Sequence, residues 1–95
     1  MVKNGVIEMG LVEEIQSALK EGNVTIGYKK SLEFVKNDSP KLIVIAENMP
    51  EKERLEIEHN AKISSTKVET FSGSSKELGV ICGRPFPVMV LVIKG

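Results

Sequence analysis

Three short segments of the chain carry side chains that suit the binding of a nucleic acid. Segment 27–31 reads Gly-Tyr-Lys-Lys-Ser and lies where a short apolar run gives way to a helical pattern. Unpaired N–H groups at a helix start, next to two ammonium groups, form a seat for phosphate. Asn48 follows one apolar run, and segment 83–88, with Arg84 beside Pro85, precedes another.

Each of these side chains has a distinct use in binding irregular RNA. Gly27 lets a phosphate or a base approach the backbone, Lys29 and Lys30 neutralise phosphates, and Asn48 hydrogen-bonds a base edge. Phe86 has a proline on either side, which favours a loop over a strand interior. An exposed ring there stacks under an unpaired base, a contact that contributes about 1 to 3 kcal/mol.

The residues that an enzyme would need are scarce. His59 is the single histidine and lies in a charged helical segment, and Cys82 ends a short apolar helix, where a small packing role fits better than reactivity. Four acidic residues alternate with basic ones around a predicted helix and read as a solvated face, not as a metal site: Glu51, Glu53, Glu56 and Glu58. Neither a Gly-x-Gly-x-x-Gly series nor a phosphate-loop Gly-Lys-Ser/Thr pattern occurs.

Composition limits the remaining possibilities. The 95 residues predict a single domain, residues 1–95, and hydrophobic and charged fractions of 41% and 27% are ordinary for a globular protein. Thirteen basic and thirteen acidic residues give zero net charge, so any nucleic-acid binding depends on local placement. One cysteine allows no internal disulfide. Without a signal peptide or a membrane-spanning run, a soluble cytoplasmic protein is expected, with no membrane partner and no cofactor.

The helical segments follow from the apolar spacing. Positions 7, 11, 15, 18 and 19 are apolar at intervals of three and four ahead of Gly22, which predicts an amphipathic helix. A second helix starts at Gly27 and ends before Pro40. A third has Pro50 in its first turn and runs to about Ser64, with Leu55 and Ala61 among its inward candidates. A short fourth helix follows segment 72–75 and carries three apolar residues: Leu78, Val80 and Ile81.

The strands lie between these helices. Segment 24–26 is short and β-branched, and 67–71 alternates like a half-buried strand. Segments 42–46 and 88–93 are continuously apolar, as strands covered on both faces are. The expected fold is therefore α/β: a three-layer α/β/α sandwich with a mixed sheet of about four strands and helices on both faces. If the strands containing Ile26, Ile45 and Val88 are neighbours, the three candidate segments meet at one end of the sandwich.

Several separated motifs, in this order and spacing, resemble those of the archaeal and eukaryotic large-subunit ribosomal protein family L-thirty-e, within the wider L-seven-A-e RNA-binding superfamily. The resemblance covers residues from about Leu11 to Ile93. Its motifs are Gly22 with Thr25-Ile26-Gly27-Tyr28-Lys29, then 41–46 with Asn48 and Pro50, Leu55-Glu56-Ile57-Glu58 ahead of Ala61, and Glu77-Leu78-Gly79 ahead of Gly83-Arg84-Pro85-Phe86.

The resemblance implies a structural constituent of the large ribosomal subunit that binds a kink-turn, a sharply bent RNA internal loop with tandem G·A pairs, in ribosomal RNA. It implies neighbouring large-subunit proteins as partners, a cytoplasmic ribosomal location, a monomer when free, and no catalysis. By position, five residues match RNA contacts of the family, namely Gly27, Lys29, Asn48, Phe86 and Val88. Tyr28, Lys30 and Arg84 lie beside them and complete the predicted site.

The chain departs from the family pattern in three places. Glu47 puts a carboxylate beside Asn48, Pro87 stiffens the loop after Phe86, and the sequence ends at Gly95 where many relatives continue. Three alternatives stay open: the protein of archaeal guide-RNA particles, binding to the chain's own messenger RNA, and a small-metabolite α/β domain. Tyr28-Lys29 disfavours the first, which usually has an Asn-Glu pair there, and the third would need polar groups that converge on a closed pocket.

Overall fold

The chain folds into four helices and four strands that alternate along the sequence. The computed structural model describes residues 2–38 and 40–94, and of residues 2–9 the backbone alone. The side chain of Ile7, part of the predicted first helix face, lies outside what is described. The helices are α1 (Val2–Lys20), α2 (Tyr28–Asn37), α3 (Glu51–Ile63) and α4 (Ser75–Ile81), and the strands are β1 (Val24–Ile26), β2 (Leu42–Ala46), β3 (Lys67–Phe71) and β4 (Val90–Ile93).

The four strands form one mixed sheet in the order β1-β4-β2-β3. β2 pairs with β3 in parallel, while β4 runs antiparallel to both β1 and β2. The two continuously apolar segments therefore occupy the two central strands, as their composition predicts. The last strand begins at Val90 and not at Val88, because the Val88 N–H donates to the carbonyl of Ser75 in α4 (2.9 Å) and not to a neighbouring strand.

Helices cover both faces of the sheet, which confirms the predicted sandwich. On one face α1 and α4 contribute Leu11, Ile15, Ala18, Leu78 and Cys82 to a buried cluster, here called the α1/α4 core. On the other face α2 and α3 contribute Val35, Ile57 and Ala61 to the α2/α3 core. Successive residues of β2 alternate between the two cores, as side chains of a pleated strand must.

The inward face of α3 differs in part from the prediction. Ala61 is buried, but Leu55 is 54% exposed, and the residue that packs inward is Ile57, four positions before Ala61. A helix resting on a sheet buries positions i and i+4, and a residue two positions away points about 200° around the axis. Pro50 precedes the helix as its N-cap residue, so it lies one position before the expected first turn.

Candidate RNA-binding site

The sheet order brings the three candidate segments to one end of the molecule. β1 and β2 both finish at this end and β4 starts there, since Ile26 pairs with Leu91 and Ile45 pairs with Val90. A backbone hydrogen bond from the Gly27 N–H to the Val90 carbonyl (3.1 Å) closes the junction on one side. The expected convergence of the three segments is confirmed.

A cleft of about 620 Å³ opens at this end between β1, the start of α2 and the loop before β4. Six of the eight predicted site residues line it: Gly27, Tyr28, Lys30, Arg84, Phe86 and Val88. The other two, Lys29 and Asn48, belong to the same end but are not among the lining residues. The cleft also contains Glu53, half-buried at the start of α3, so its rim carries both signs of charge.

The start of α2 is open to an anion. Gly27 has φ 109° and ψ 151°, a backbone conformation that residues with a Cβ rarely adopt. Its carbonyl accepts the first helical hydrogen bond from Ser31 N–H (2.9 Å), and no side chain caps the helix. The N–H groups of residues 28–30 therefore have no acceptor within the helix, and Lys29 and Lys30 are exposed beside them. The structure therefore has the uncapped helix start and the exposed lysines on which the predicted phosphate seat depends.

Tyr28 ties this helix start to the neighbouring helix. Its hydroxyl donates a hydrogen bond to Oε1 of Glu56 in α3. That bond, with desolvation and the nearby carboxylates of Glu56 and Glu53, raises the pKa of Tyr28 to about 12. The phenol thus stays protonated and bonded to Glu56 of α3, and Tyr28 is also among the residues that line the cleft.

Asn48, predicted to contact a base edge, is held by the start of α4. Its Oδ1 accepts a hydrogen bond from the Ser75 N–H (2.8 Å), and its Nδ2 donates to the Ser75 Oγ (3.3 Å). A side-chain amide has two donor hydrogens and two acceptor lone pairs, so Ser75 uses one of each and leaves one of each. Ser75 was not predicted from the sequence, because no feature of its neighbouring residues indicates a partner 27 residues away.

The loop that carries Phe86 rests on α4. Phe86 is 52% exposed, which confirms the loop position over a core aromatic. The Arg84 N–H donates to the Gly79 carbonyl (2.9 Å), and a Cβ on Gly79 would lie 2.3 Å from the Phe86 carbonyl oxygen. The absence of a side chain at Gly79 thus lets the loop backbone lie directly on the helix. The Glu-Leu-Gly motif marked this glycine in the sequence, but not this function.

Val88 anchors the same loop from inside. Its side chain is 1% exposed and belongs to the α1/α4 core. Because that side chain is buried, any contact of Val88 with RNA has to be made by its backbone. Its N–H is already donated to the Ser75 carbonyl.

His59 and Cys82, which were considered for other chemistry, are not among the residues that line the cleft. His59 is exposed on α3. Cys82 is buried, and desolvation raises the pKa of its thiol against a smaller opposing effect of Arg84, as expected for a packing residue. Glu58 pairs with Arg54 at 3.2 Å, and within residues 2–38 and 40–94 no group of three metal-ligating side chains occurs. In the same ranges, no helix is long and apolar enough to cross a membrane.

The fold and the site define an α/β/α sandwich with a basic and aromatic cleft at one sheet end, an arrangement suited to nucleic acid. The family model for the ribosomal protein L7Ae/L30e/S12e/Gadd45 family matches residues 9–95. The chain belongs to this family.

Curated relatives agree with that assignment, and a solved structure shares the fold. Large ribosomal subunit protein eL30 of Methanosphaera stadtmanae is 41% identical over 86 residues, covering 90% of this chain and 88% of the relative. The eL30 protein of Methanothermobacter thermautotrophicus has the same identity and coverage. Among structures, the Giardia lamblia 15.5kD RNA binding protein superposes with a TM-score of 0.78 at 17% identity, over 92% of this chain and 72% of the other, which shows a shared fold.

Proposed function

We propose that the chain is a structural constituent of the large ribosomal subunit that binds a kink-turn in ribosomal RNA and holds its bent shape. The observation that carries this proposal is the convergence of three segments at one end of the sheet. They are residues 27–31, here called the lysine turn, Asn48, and residues 83–88, here called the Phe86 loop. The chain is also 41% identical to proteins named large ribosomal subunit protein eL30. Ribosomal RNA and neighbouring ribosomal proteins are its partners, in the cytoplasm, and the free protein is a monomer.

The arrangement suits a bent, irregular RNA better than a regular duplex. The helix start and Lys30 offer positive charge to the cleft, Lys29 is exposed beside them, and the exposed Phe86 offers a stacking surface in the same cleft. Unstacked bases in an internal loop can occupy such a cleft, whereas paired bases in an A-form helix are hidden in a deep groove. With zero net charge, affinity comes from this placement and not from a general attraction to polyanions.

This function needs no chemical step. Binding lowers the free energy of the bent RNA relative to its extended forms, so the protein acts by shifting a conformational equilibrium. No residue of the cleft has to act as nucleophile, acid or base.

The test is a titration of the purified protein against a labelled kink-turn RNA over a salt series. The matched control is the same RNA with its tandem G·A pairs replaced by Watson-Crick pairs. We expect tight binding to the first RNA and weak binding to the second. A fluorescence-transfer pair on the two helical arms is expected to report bending on addition of the protein. Equal, weak binding to both RNAs would contradict the proposal and reopen the small-metabolite alternative.

A further inference from the structure

Ser75 is the residue where three parts of the candidate site meet. It is 5% exposed, and each of its polar groups is engaged with another segment. Its N–H and Oγ both bond the Asn48 amide, from the loop after β2, and its carbonyl accepts the Val88 N–H, from the loop before β4. One residue thus fixes the distance between the predicted base contact and the Phe86 loop.

The same residue joins the start of α4 to the loop after β2. Asn48 lies between Ala46, which belongs to the α1/α4 core, and Met49, which belongs to the α2/α3 core, whereas Ser75 opens α4. The paired hydrogen bonds therefore tie the first residue of α4 to the loop between β2 and α3.

The bond to the Ser75 N–H also sets which way the Asn48 amide faces. A backbone N–H is a donor only, so it requires Oδ1 and rejects Nδ2 at that position. The Ser75 hydroxyl then takes one hydrogen of Nδ2. The second hydrogen of Nδ2 and the second lone pair of Oδ1 then have fixed directions. RNA therefore meets one defined donor and one defined acceptor.

We propose that Ser75 is a positioning residue for RNA recognition, which orients the Asn48 amide and holds the Phe86 loop at a fixed distance from it. This role rests on the proposed function. The N–H and carbonyl bonds persist with any residue except proline at position 75, so the serine side chain contributes through the hydrogen bond that its Oγ accepts from Asn48 Nδ2. Loss of this second bond to the amide is expected to affect discrimination between RNAs, although Ser75 itself is buried and carries no charge.

The test compares Ser75→Ala with Ser74→Ala, a matched control at the preceding position. Ser74 is the N-cap of α4, where its Oγ accepts from the Glu77 N–H (3.3 Å) within a capping box. Ser74→Ala therefore weakens the same helix without removing a bond to Asn48. We expect Ser75→Ala to weaken kink-turn binding about threefold to tenfold, the range for one lost hydrogen bond. Ser74→Ala is expected to bind as the wild type does, well below its melting temperature.

Three readouts separate positioning from a loss of stability. The preference of Ser75→Ala for the kink-turn over the Watson-Crick control RNA should fall, while the salt dependence of its affinity stays that of the wild type. In an Asn48→Ala background, Ser75→Ala should have no further effect. Equal losses in the Ser74 and Ser75 variants, or a full Ser75 effect without Asn48, would overturn the role.

A measurement on the wild type alone keeps the proposal testable if Ser75→Ala does not fold. NMR relaxation of side-chain amides should show the Asn48 NH₂ group ordered in the free protein and that of Asn37, exposed at the end of α2, mobile. Equal mobility of the two would overturn the positioning role. A wild-type chain that does not distinguish the two RNAs overturns the proposed function and this role with it. Discrimination by the wild type with unchanged binding by Ser75→Ala overturns the role alone.

Discussion

Replacing Gly79 with alanine tests whether the Phe86 loop must lie directly on α4. The added Cβ would lie 2.3 Å from the Phe86 carbonyl oxygen, 3.3 Å from its carbonyl carbon and 3.4 Å from Pro87 Cα. These are backbone atoms, which cannot rotate away as the end of a side chain can. Since a comfortable contact is about 3.5 Å, the loop or the helix has to move by about 1 Å.

Two opposing effects decide the outcome for stability. Alanine in a helix is favoured over glycine by about 1 kcal/mol, while forcing an extra carbon into a packed site costs about 1 to 3 kcal/mol. We expect a net loss of up to about 2 kcal/mol in the free energy of unfolding. Moving the Phe86 loop by about 1 Å also disturbs a stacking contact of about 1 to 3 kcal/mol, so RNA affinity should fall by about tenfold.

The assay is urea unfolding together with titration against the kink-turn RNA. Gly10→Ala is the matched control, because Gly10 lies in α1 and a Cβ there meets nothing within 4 Å. This control should raise stability by up to about 1 kcal/mol and leave RNA affinity unchanged. A Gly79→Ala variant that is stabilised as much as Gly10→Ala and binds RNA as the wild type does would show that the Phe86 loop does not lie directly on Gly79.

Three further predictions concern single side chains. Phe86→Ala should weaken kink-turn binding by about 1 to 3 kcal/mol with an unchanged salt dependence, since it removes stacking and no charge; a changed slope would contradict this. Lys29→Ala should weaken binding and flatten the salt slope by up to about one counterion, which titration over a salt series measures. Tyr28, the single tyrosine in a chain without tryptophan, should ionise near pH 12 in an ultraviolet titration. Its raised pKa means that the Tyr28–Glu56 bond stabilises the fold fully below about pH 10 and is lost as pH rises toward 12. Glu56→Gln should move the ionisation of Tyr28 back toward 10, and an unmoved value would exclude the Glu56 carboxylate as the main cause.

The sheet and its covering helices were predictable because the signals are local and repeated. Segment 42–46 has no polar residue, so both its faces had to be covered. Gly27 marks the change from strand to helix in the sequence itself, and the prolines around Phe86 favour a loop over a strand interior. The neighbouring strands then placed all three segments at one end.

The details that sequence analysis missed depend on pairings between distant residues. Leu55 is apolar and falls within a helix, but only the position of the sheet decides that Ile57 faces inward. Val88 belongs to an apolar run, yet its N–H is taken by Ser75, 13 positions earlier, and the strand starts later. The link between Asn48 and Ser75 has no periodicity, because it joins a loop to the first residue of a helix by chemistry that many serines and asparagines share.

The lysine turn directly follows β1, the shortest strand of the sheet. β1 has three residues, all half-buried, and pairs with β4 alone. A short edge strand opens by local unfolding more often than the central strands of a sheet. We expect an opening of β1 to release Gly27 and the lysines after it, because the Gly27 N–H bonds the Val90 carbonyl directly after β1. RNA affinity therefore includes the free energy of keeping β1 closed, and RNA binding should slow hydrogen exchange of the Val24–Ile26 amides more than that of the central strands.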